Sequence, residues 1–554
     1  MYLGIDAGGT HTDAVIVAKG KILVAVKVPT RHDDLPGTVR DVLAALPPDP
    51  DRTRIERVTL GTTLAVNAVV QGRTDPVGLA LSAGPGMSPA RFGIGDFVQV
   101  VDGGLDHRGV EVTPPDMAAL KKAAARWRDA GVRAFAVAGK FSPRNPAHED
   151  AMATVLESSC DCVCRGHLVS GQLNFPRRIA SVYYNAAVWR LHNAFLDAVE
   201  QALGDAGIHA PVRLLKADGG AVPLGASRRR PVESILSGPA AGVMGVMALC
   251  DTAGDGLLLD MGGTTTDIAL YADGSPVVDR NGMVLGGRRT LVRSLAAVSV
   301  GVGGDSLLSV RDGAVLVGPR REGPARAFGG ERATLLDALN CLGGDTAGDA
   351  AASRQGVAYV AREHGMEPSV LARTAARTAV DTVMAAAREL LERVNAQPVY
   401  TLAALLEDRR VRPARAWLVG GPAALARPLL ESALELPVIV PPRADVANAV
   451  GAALTLPTAG LEVLADSGRG ILRAPALNVE RRIDRTYTLD AARAEALRLL
   501  REHLAAECYD GAAEAAVEVT EAALFATLDD RGRGGRDIRV CCQLVPGITE
   551  RIAE

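Results

Sequence analysis

The sequence has few aromatic side chains, few lysines and no long uncharged run. Aromatic residues make up 3% of the 554 residues, and 7 of the 61 basic residues are Lys, so core volume must come mainly from Leu, Val and Ala. The longest uncharged stretch, Ser234–Cys250, has 17 residues and is interrupted by Pro239 and Gly242. A helix that spans a bilayer needs about 20 apolar residues. We therefore expect no transmembrane helix and no membrane partner.

An excess of charge of one sign is also missing. The net charge is −3, which does not provide the basic surface that a non-specific nucleic-acid binder needs. The first ten residues, MYLGIDAGGT, contain neither the basic nor the apolar segment of a secretory signal. The eight Cys are spread along the chain, as is typical of reduced thiols in a cytosol. We expect a cytoplasmic protein that binds no nucleic acid.

Four common catalytic motifs are absent from the sequence. It contains no G-x4-G-K-S/T, no G-x-G-x-x-G, no G-x-S-x-G and no H-E-x-x-H. Their absence argues against a Walker-type ATPase, a dinucleotide oxidoreductase, a serine hydrolase and a zinc protease. The composition, 48% hydrophobic and 23% charged, is that of a globular protein, and the length predicts about three to four domains.

One motif occurs twice. Residues 5–17 read IDAGGTHTDAVIV and residues 259–271 read LDMGGTTTDIALY. Each copy is followed by a glycine at the same offset, Gly20 and Gly274. The spacing between the copies is far too long for a solenoid repeat and indicates a duplicated domain. The matching pairs are Asp6 and Asp260, Gly8 and Gly262, Gly9 and Gly263, Thr10 and Thr264, Thr12 and Thr266, and Asp13 and Asp267.

Each copy is predicted to form a strand, a tight turn and a second strand. The turn glycines leave successive N–H groups uncovered, which is the chemistry of an anion-binding nest. The leading Asp stands at a strand end, where it can hold a metal-bound water. A single copy is explained equally well by a plain hairpin turn, but two matching copies favour a pair of hairpins that holds a polyphosphate from both sides.

Strands alternate with helices along the rest of the chain, which predicts an α/β fold. We expect an N-terminal lobe at 1–225 with an inserted α/β region, a second lobe at 226–456, and a small α/β region at 457–554. Residues 460–483 are interpreted as a linker and residues 531–536 as a turn. Predicted helices lie at 38–46, 114–130, 178–203, 234–249, 369–395, 424–433 and 446–454; predicted strands lie at 132–138, 212–217, 416–421 and 438–441.

The two hairpins resemble the phosphate motifs of the actin-like ATPase superfamily. The segment LVGGPAALARPL (418–429) resembles its adenosine motif, and ADVANAVGAAL (444–454) resembles the helix that packs back on the first lobe. This resemblance implies two ribonuclease-H-like lobes around a nucleotide cleft.

Within that superfamily the sequence is most similar to the A-type chains of the hydantoinase/oxoprolinase family. The residues that carry the similarity lie in family order and are GIDAGGTHTD (4–13), LGTTLAVNAVVQG (60–72), FSPRNPAHE (141–149), RRPVESILSGPAAGVMG (229–245), LDMGGTTTDIAL (259–270) and VGVGGDSLL (300–308). The resemblance implies a hydrolase that uses ATP and Mg²⁺ to open a cyclic amide.

Three features depart from the family pattern. The segment 322–339, EGPARAFGGERATLLDAL, is short and lacks a Cys-Tyr pair; Ala426 replaces a common His; and Asp305 replaces the third glycine of a GGGS turn. These differences leave the substrate open, as well as the question whether the site is hydrolytic.

The candidate residues around the nucleotide fall into four roles. Asp6 and Asp260 are predicted metal ligands and catalytic residues, since Mg²⁺ takes one or two carboxylates together with phosphate oxygens and water; the alternative is that each caps its own turn. Asp13 and Asp267 are predicted to orient a water or a hydroxyl, or else to bind the turn backbone. Gly420 and Gly421 are predicted to approach the adenosine. The predicted phosphate ligands are Gly8, Gly9, Thr10, Thr12, Gly262, Gly263, Thr264, Thr265 and Thr266.

On the substrate side we place Thr62, Thr63 and Asn67, with a plain helix cap by either threonine as the alternative. The helix that opens at Ser237-Gly238-Pro239 could meet an anion with its free N–H groups.

A zinc site is one interpretation of the run Cys160-x-Cys162-x-Cys164 followed by His167, but structural zinc sites more often have gaps of two to four residues and two separated knuckles. We interpret the run as one face of a strand.

The favoured function is ATP-dependent phosphorylation of a hydantoin or lactam carbonyl, which activates the ring for opening by water. The alternatives are a small-molecule kinase or ATP-dependent carboxylase subunit, and a nucleotide-gated regulatory or assembly protein. The partners expected are a small-molecule substrate and a separate B-type subunit, with a homo-oligomer left open.

Overall fold

The structure is a computed structural model. It describes residues 1–31, 33–48, 50–279, 281–396, 410–507, 509, 516–528 and 534–553. Two sheets with the same strand order lie at its centre, one in each lobe.

The first part of the chain contains the first copy of the repeated motif. Strongly apolar segments on either side of the GGT turn form paired strands, and the Pro and Asp before residue 38 start a helix. The elements are β1 (Tyr2–Ala7), β2 (His11–Ala18), β3 (Lys21–Pro29), α1 (Leu35–Ala45), β4 (Arg57–Thr62) and α2 (Leu64–Val70).

A separate four-stranded parallel sheet is inserted after α2. Its strand order is β10-β9-β5-β6, and its own apolar core includes Leu79, Ala136 and Ile179. The elements of this inserted region are β5 (Val77–Ser82), β6 (Val98–Val101), β7 (Gly104–Leu105), β8 (Glu111–Thr113), α3 (Met117–Asp129), β9 (Ala134–Ala138), α4 (Ala147–Leu156), β10 (Cys162–Arg165) and α5 (Gly166–Val169).

The chain then returns to the first sheet through a helix of 31 residues. The elements are α6 (Phe175–Asp205), β11 (Val212–Leu215), β12 (Ala221–Pro223), α7 (Leu224–Arg229) and α8 (Ser237–Leu249). Strand β11 pairs parallel with β4, which pairs parallel with β1. The completed sheet has the order β12-β11-β4-β1-β2-β3.

The second copy of the motif opens the second lobe. Its strands and the short strands after it are β13 (Gly256–Met261), β14 (Thr266–Ala272), β15 (Ser275–Pro276), β16 (Val278–Asp279), β17 (Val284–Leu285), β18 (Arg288–Arg289), β19 (Ser294–Leu295), β20 (Ala297–Val300), β21 (Leu308–Arg311) and β22 (Ala314–Val317). The remaining elements are α9 (Leu335–Asn340), α10 (Ala350–Glu363), α11 (Pro368–Asn395), β23 (Ala416–Val419), α12 (Ala423–Leu434), β24 (Val438–Ile439) and α13 (Ala447–Leu454).

The two lobes repeat one topology. The second sheet has the order β15-β14-β13-β23-β24, with β20 also paired to β14. In each lobe an antiparallel hairpin is extended on one side by parallel strands. The glycine after each hairpin has a positive φ, 68° at Gly20 and 76° at Gly274, so the equivalence extends to the backbone of the following turn. These features confirm the predicted α/β fold class.

Two helices cross between the lobes. A Cβ on Gly245 of α8 would collide with the carbonyl oxygen of Ala447 in α13, and one on Gly451 would collide with that of Ala241. The helix backbones therefore touch because both positions lack a side chain. Helix α13 also packs on β1, since a Cβ on Gly4 would collide with Ala449, as the family resemblance implied.

The interpretation of residues 460–483 as a linker is wrong. These residues form β25 (Gly460–Asp466), β26 (Ile471–Ala474) and β27 (Val479–Arg482), followed by α14 (Leu489–Ala506), β28 (Val517–Leu528) and β29 (Gly534–Leu544). The sheet order is β27-β26-β25-β29-β28. Strand β25 pairs with β29 more than 70 positions later, and a local reading of the sequence cannot detect such a distant partner. Residues 531–533 of the predicted turn lie outside the described residues.

The core of the first lobe continues into the C-terminal sheet. One buried apolar cluster contains Ile5 and Leu60 from the first sheet, Leu196 from α6, and Val463 and Val540 from the C-terminal sheet. The C-terminal sheet is therefore packed into the first lobe rather than attached to its surface. In the part of the chain that the structure describes, no helix is both long enough and apolar enough to cross a membrane.

Candidate functional site

The tips of the two repeated hairpins meet. In the first, Asp6 pairs with Asp13 and Ala7 with Thr12; in the second, the same register pairs Asp260 with Asp267 and Met261 with Thr266. Each tip is closed by one backbone hydrogen bond, from Gly8 N to the His11 oxygen at 3.1 Å and from Gly262 N to the Thr265 oxygen at 2.9 Å. The two Oγ1 atoms of Thr10 and Thr264 are 3.2 Å apart.

Asp6 and Asp260 lie behind the tips, and Asn448 of α13 is bonded to Asp260. Asn448 Nδ2 donates to Asp260 Oδ2 at 2.9 Å. Oδ1 of Asp6 is buried and has no hydrogen-bond partner among the described residues. Burial, with the charges of Asp13 and Asp260, raises the pKa of Asp6 to about 7, and burial also raises the pKa of Asp260.

Asp13 and Asp267 complete a cluster of four carboxylates. Lys27 Nζ lies 2.9 Å from Asp13 Oδ1 and donates to the carbonyl oxygen of Asp445 in the second lobe at 3.0 Å. Burial raises the pKa of Asp13 to about 6, although the Lys27 ammonium opposes this. Burial and the charge of Asp260 raise the pKa of Asp267 to about 7. All four carboxyl groups therefore ionise less readily than an exposed Asp side chain does.

The assignment of Thr12 and Thr266 as phosphate ligands requires correction. Both side chains are fully buried. The Thr12 hydroxyl is 3.0 Å from the Thr30 hydroxyl, and the Thr266 hydroxyl donates to the carbonyl oxygen of Val302 at 2.7 Å. These hydrogen bonds stay within each lobe, so the two hydroxyls do not point into the cleft.

The predicted adenosine glycines lie against the second hairpin. Gly420 has φ +97°, and a Cβ there would collide with the carbonyl of Met261 and come within 3.2 Å of Asp260 Oδ1. A Cβ on Gly421 would meet nothing within 4 Å, so its backbone faces open space. The end of β23 thus reaches the carboxylate cluster through a backbone that only glycine permits at this distance.

The structure shows where each of the three departures from the family pattern lies. Asp305 braces the second tip: its N–H donates to the Gly263 oxygen at 2.7 Å. Its carboxylate accepts from Arg321 Nε at 3.1 Å and from Ala325 N at 3.2 Å. The short segment 322–339 therefore packs on Asp305. Ala426 is buried in α12.

The predicted substrate residues lie beside the start of α8. Thr63 donates its hydroxyl to the Ala7 oxygen at 3.2 Å, and Asn67 Nδ2 donates to Thr63 Oγ1 at 3.3 Å. Ser237 Oγ donates to the Thr62 oxygen at 3.0 Å. Thr63 occupies the N-cap position of α2 without a side-chain cap bond. These hydrogen bonds connect the first hairpin, α2 and α8 on one side of the cleft.

The first turn of α8 faces the cleft. Its N-cap residue, Leu236, has φ +66° and supplies no side-chain acceptor. A Cβ on Gly238 would lie 3.8 Å from Asp267 Oδ2 and 3.9 Å from Thr63 Cγ2. The N-terminus of a helix attracts negative charge and offers free N–H groups. It therefore suits an anionic or carbonyl oxygen placed between Asp267 and Thr63.

The cysteine run lies in the inserted region, away from the hairpins. Cys162 and Cys164 belong to β10, which begins only at Cys162. His167 is buried, and its Nδ1 lies 2.6 Å from Glu149 Oε2.

Sequence reasoning missed Lys27 and Asn448. Both residues have a feature in the sequence that could have drawn attention to them. Lys27 is one of few lysines and lies opposite Asp13 in a strand that pairs with the first hairpin, and Asn448 is a polar residue within a helix of small apolar residues.

Among the described residues, no group of three or more His, Cys, Asp or Glu side chains is arranged to hold a metal by itself. Mg²⁺ does not need such a group, because it keeps several waters and takes one or two carboxylates with phosphate oxygens. The unpartnered Oδ1 of Asp6 and the excess of carboxylates around it fit that ion.

Two family models match the chain. The model described as Hydantoinase/oxoprolinase matches residues 178–459, and the model of the Hydantoinase/oxoprolinase N-terminal region matches residues 2–160. The chain belongs to the hydantoinase/oxoprolinase family. This confirms the family predicted from the repeated hairpins and the segments between them.

Curated members of this family share part of the chain. The alpha subunit of a caprolactamase from Pseudomonas jessenii is 29% identical over 377 residues, which cover 62% of this chain and 54% of that protein. A 5-oxoprolinase of Pestalotiopsis fici is 24% identical over 405 residues, which cover 62% of this chain and 31% of that protein. The chain thus spans about half or less of the curated relatives that it matches.

Two solved structures have a similar fold. The crystal structure of ATP-dependent caprolactamase from Pseudomonas jessenii has a TM-score of 0.70 at 22% identity, over 98% of this chain and 87% of the other. A nucleotide-free acetone carboxylase has a TM-score of 0.71 at 18% identity, with the same coverage.

Proposed function

We propose that the chain is the nucleotide-binding part of an ATP-dependent enzyme that phosphorylates the carbonyl oxygen of a cyclic amide. The observation that carries this proposal is the pair of hairpins in identical register, whose tips meet in front of four carboxylates. The named relatives support it, because caprolactam and 5-oxoproline are both cyclic amides and the caprolactamase is ATP-dependent.

The phosphates of ATP are proposed to lie between the tips. The N–H groups of the two Gly-Gly turns and the hydroxyls of Thr10 and Thr264 would donate to phosphate oxygens, as in other backbone nests. Gly420 and Gly421 would leave room for the nucleoside. Phosphoryl transfer depends mostly on positioning and charge stabilisation, which two rigid hairpins can supply.

Asp6 and Asp260 are proposed to hold Mg²⁺ through its water shell. When bound, the ion would neutralise charge on the phosphates and offset the repulsion within the carboxylate cluster. Asn448 holds Asp260 in place by a bond of 2.9 Å, and Lys27 supplies an ammonium at the cluster.

The substrate carbonyl is proposed to lie at the start of α8, between Thr63 and Asp267. There the helix N–H groups would orient its oxygen towards the phosphate. Asp267, with a pKa of about 7, can accept a proton at neutral pH, as a general base needs to do. Water activated in this way would open the phosphorylated amide.

A further polypeptide is proposed to complete the enzyme. The chain matches only 54% of the caprolactamase relative, which is itself named as one subunit. A cytoplasmic location fits the use of ATP.

The test is ATP turnover by the full chain with caprolactam, 5-oxoproline or hydantoin, alone and together with proteins encoded by adjacent genes. We expect at least one cyclic amide to stimulate phosphate release and to yield the ring-opened product in equal amount. Product that retains the phosphate would indicate a kinase instead. Slow turnover that no cyclic amide changes, with or without the neighbouring proteins, would indicate a nucleotide-gated regulator.

A further inference from the structure

A second polar cavity lies beside the nucleotide cleft. Its volume is about 180 Å³, which is enough to hold several water molecules. Its walls come from the inserted region, the first lobe, the second lobe and the C-terminal sheet. The charged side chains that line it are Lys216, Asp218, Arg230, Glu233, Arg293 and Glu462.

Most of these charges neutralise one another. Lys216 Nζ lies 3.4 Å from Asp218 Oδ2 and 3.5 Å from Glu233 Oε2. Arg230 Nη1 lies 3.4 Å from Glu233 Oε1. These four side chains, two cations and two carboxylates, have no net charge between them.

Arg293 is different. Its three guanidinium nitrogens are buried, and none has a hydrogen-bond partner among the described residues. The nearest carboxylate oxygen, Asp218 Oδ2, is 3.9 Å from Arg293 Nε, which is too far for a hydrogen bond. Arg293 therefore has an ion-pair contact with Asp218 but no hydrogen bond, and a ligand carboxylate would supply two parallel acceptors to its guanidinium.

Glu462 provides the complementary group. Its side chain is 7% exposed. Oε1 accepts from Arg539 Nε at 2.5 Å, whereas Oε2 has no hydrogen-bond partner in the described part of the chain. The free oxygen can accept hydrogen bonds from a ligand ammonium.

Arg293 and Glu462 both lie close to residues 460–462 of β25. A Cβ on Gly460 would lie 3.9 Å from Arg293 Nη1, and Gly460 and Glu462 point to the same face of the strand because they are two residues apart. Two residues of strand extend about 7 Å. One small molecule can therefore contact both Arg293 and Glu462.

We propose that this cavity binds a free amino acid, with its carboxylate on Arg293 and its ammonium on Glu462. The cavity adjoins the reaction site, since Lys216 and Asp218 follow β11 and Thr62 ends the neighbouring parallel strand β4. Opening a lactam with water breaks the ring C–N bond and produces one carboxylate and one amine in the same molecule, whereas opening a hydantoin leaves a ureido group in place of the amine. In naming the lactam product as the natural occupant, the inference rests on the proposed function.

The experiment is calorimetric titration of the full chain, without nucleotide, with 6-aminohexanoate, 5-aminopentanoate and L-glutamate. We expect at least one of them to bind, and hexanoate and hexylamine to bind at least tenfold more weakly, because each satisfies one group only. Arg293→Ala, Arg293→Gln and Glu462→Gln should each weaken binding at least tenfold. Arg289→Ala removes an exposed charge outside the cavity and serves as the control, with unchanged affinity.

The site is wrong if no amino acid binds at millimolar concentration, if hexanoate binds as tightly as the amino acids, or if the folded Arg293 variants bind like the unaltered protein. Thermal melting identifies variants that have lost the fold, and the Gln variants keep the side-chain size. Amino-acid binding that depends on Arg293, without lactam-stimulated ATP turnover, would remove the proposed reaction and leave the site. Lactam-stimulated ATP turnover without amino-acid binding would remove the site and leave the proposed reaction.

Discussion

Thr10 and Thr264 touch across the cleft, with their hydroxyl oxygens 3.2 Å apart, although they lie on different lobes of the protein. This contact leaves no space for a phosphate group between the two side chains. Nucleotide binding between the tips must therefore separate them, and a ligand can stabilise the separated form only through its higher affinity for that form.

The Thr10→Cys/Thr264→Cys variant tests this contact. Two cysteines in these positions should form a disulfide under mild oxidation, which peptide mapping would detect, and ATP with Mg²⁺ should slow the reaction several-fold. The single variants, which carry only one new thiol, are the controls. Crosslinking at the same rate with and without nucleotide would show that phosphates do not enter between the tips.

Asp6→Asn and Asp260→Asn should each lower Mg²⁺-dependent ATP turnover at least a hundredfold. The substitution keeps the size of the side chain and removes the charge that would hold the metal waters. Steady-state phosphate release at saturating Mg²⁺ is the measurement. Asp129→Asn, an exposed carboxylate at the end of α3, should leave turnover unchanged. Near-normal turnover in either hairpin variant would mean that the two hairpins do not act together.

Asp267→Asn should stabilise the protein more at pH 8 than at pH 5, by on the order of 2 kcal/mol. The pKa of Asp267 is raised from 3.8 to about 7 in the fold. Ionisation therefore costs folding free energy, and this cost grows as the pH rises from about 4 to about 7. The amide does not ionise and avoids the cost. Urea denaturation at the two pH values provides the measurement.

For the exposed Asp129→Asn variant we expect a stability change that does not depend on pH. An equal gain at pH 5 and pH 8 in Asp267→Asn would show that Asp267 ionises as freely in the folded chain as in the unfolded one.

Gly451→Ala should destabilise the protein by about 1–3 kcal/mol or more, since the new methyl group forces α8 and α13 apart. Gly204→Ala is the matched control, because a Cβ at this position of α6 meets nothing within 4 Å. Alanine there should be neutral or should stabilise the helix by up to about 1 kcal/mol. Chemical denaturation compares the two, and similar effects at both positions would contradict the close helix crossing.

The repeated motif made the centre of the fold predictable. Two copies of one pattern predict two equivalent hairpins, and the structure gives both the same register. Long amphipathic segments were also predictable: the helix expected at 369–395 is Pro368–Asn395. Local periodicity is sufficient where an element's apolar face and its caps lie within the element itself.

Contacts between distant segments were not predictable in this way. Strand β25 is stabilised by β29, and Asn448 reaches Asp260 from a helix that follows it by 188 positions. The hydroxyls of Thr12 and Thr266 show the same limit, because their direction depends on Thr30 and Val302. The repeat pattern predicted which residues would gather at the cleft, but it did not predict which side chains would face it.

The shared core of the first lobe and the C-terminal sheet has a consequence for how the protein is made. Leu60 and Val540 belong to one buried cluster, and a ribosome that adds roughly 5–20 residues per second needs between about half a minute and a minute and a half to travel from one to the other. During that interval the apolar residues around β4 are not yet packed against the C-terminal sheet. During synthesis the first lobe thus emerges before the C-terminal sheet, and its core can be completed only after that sheet has been made.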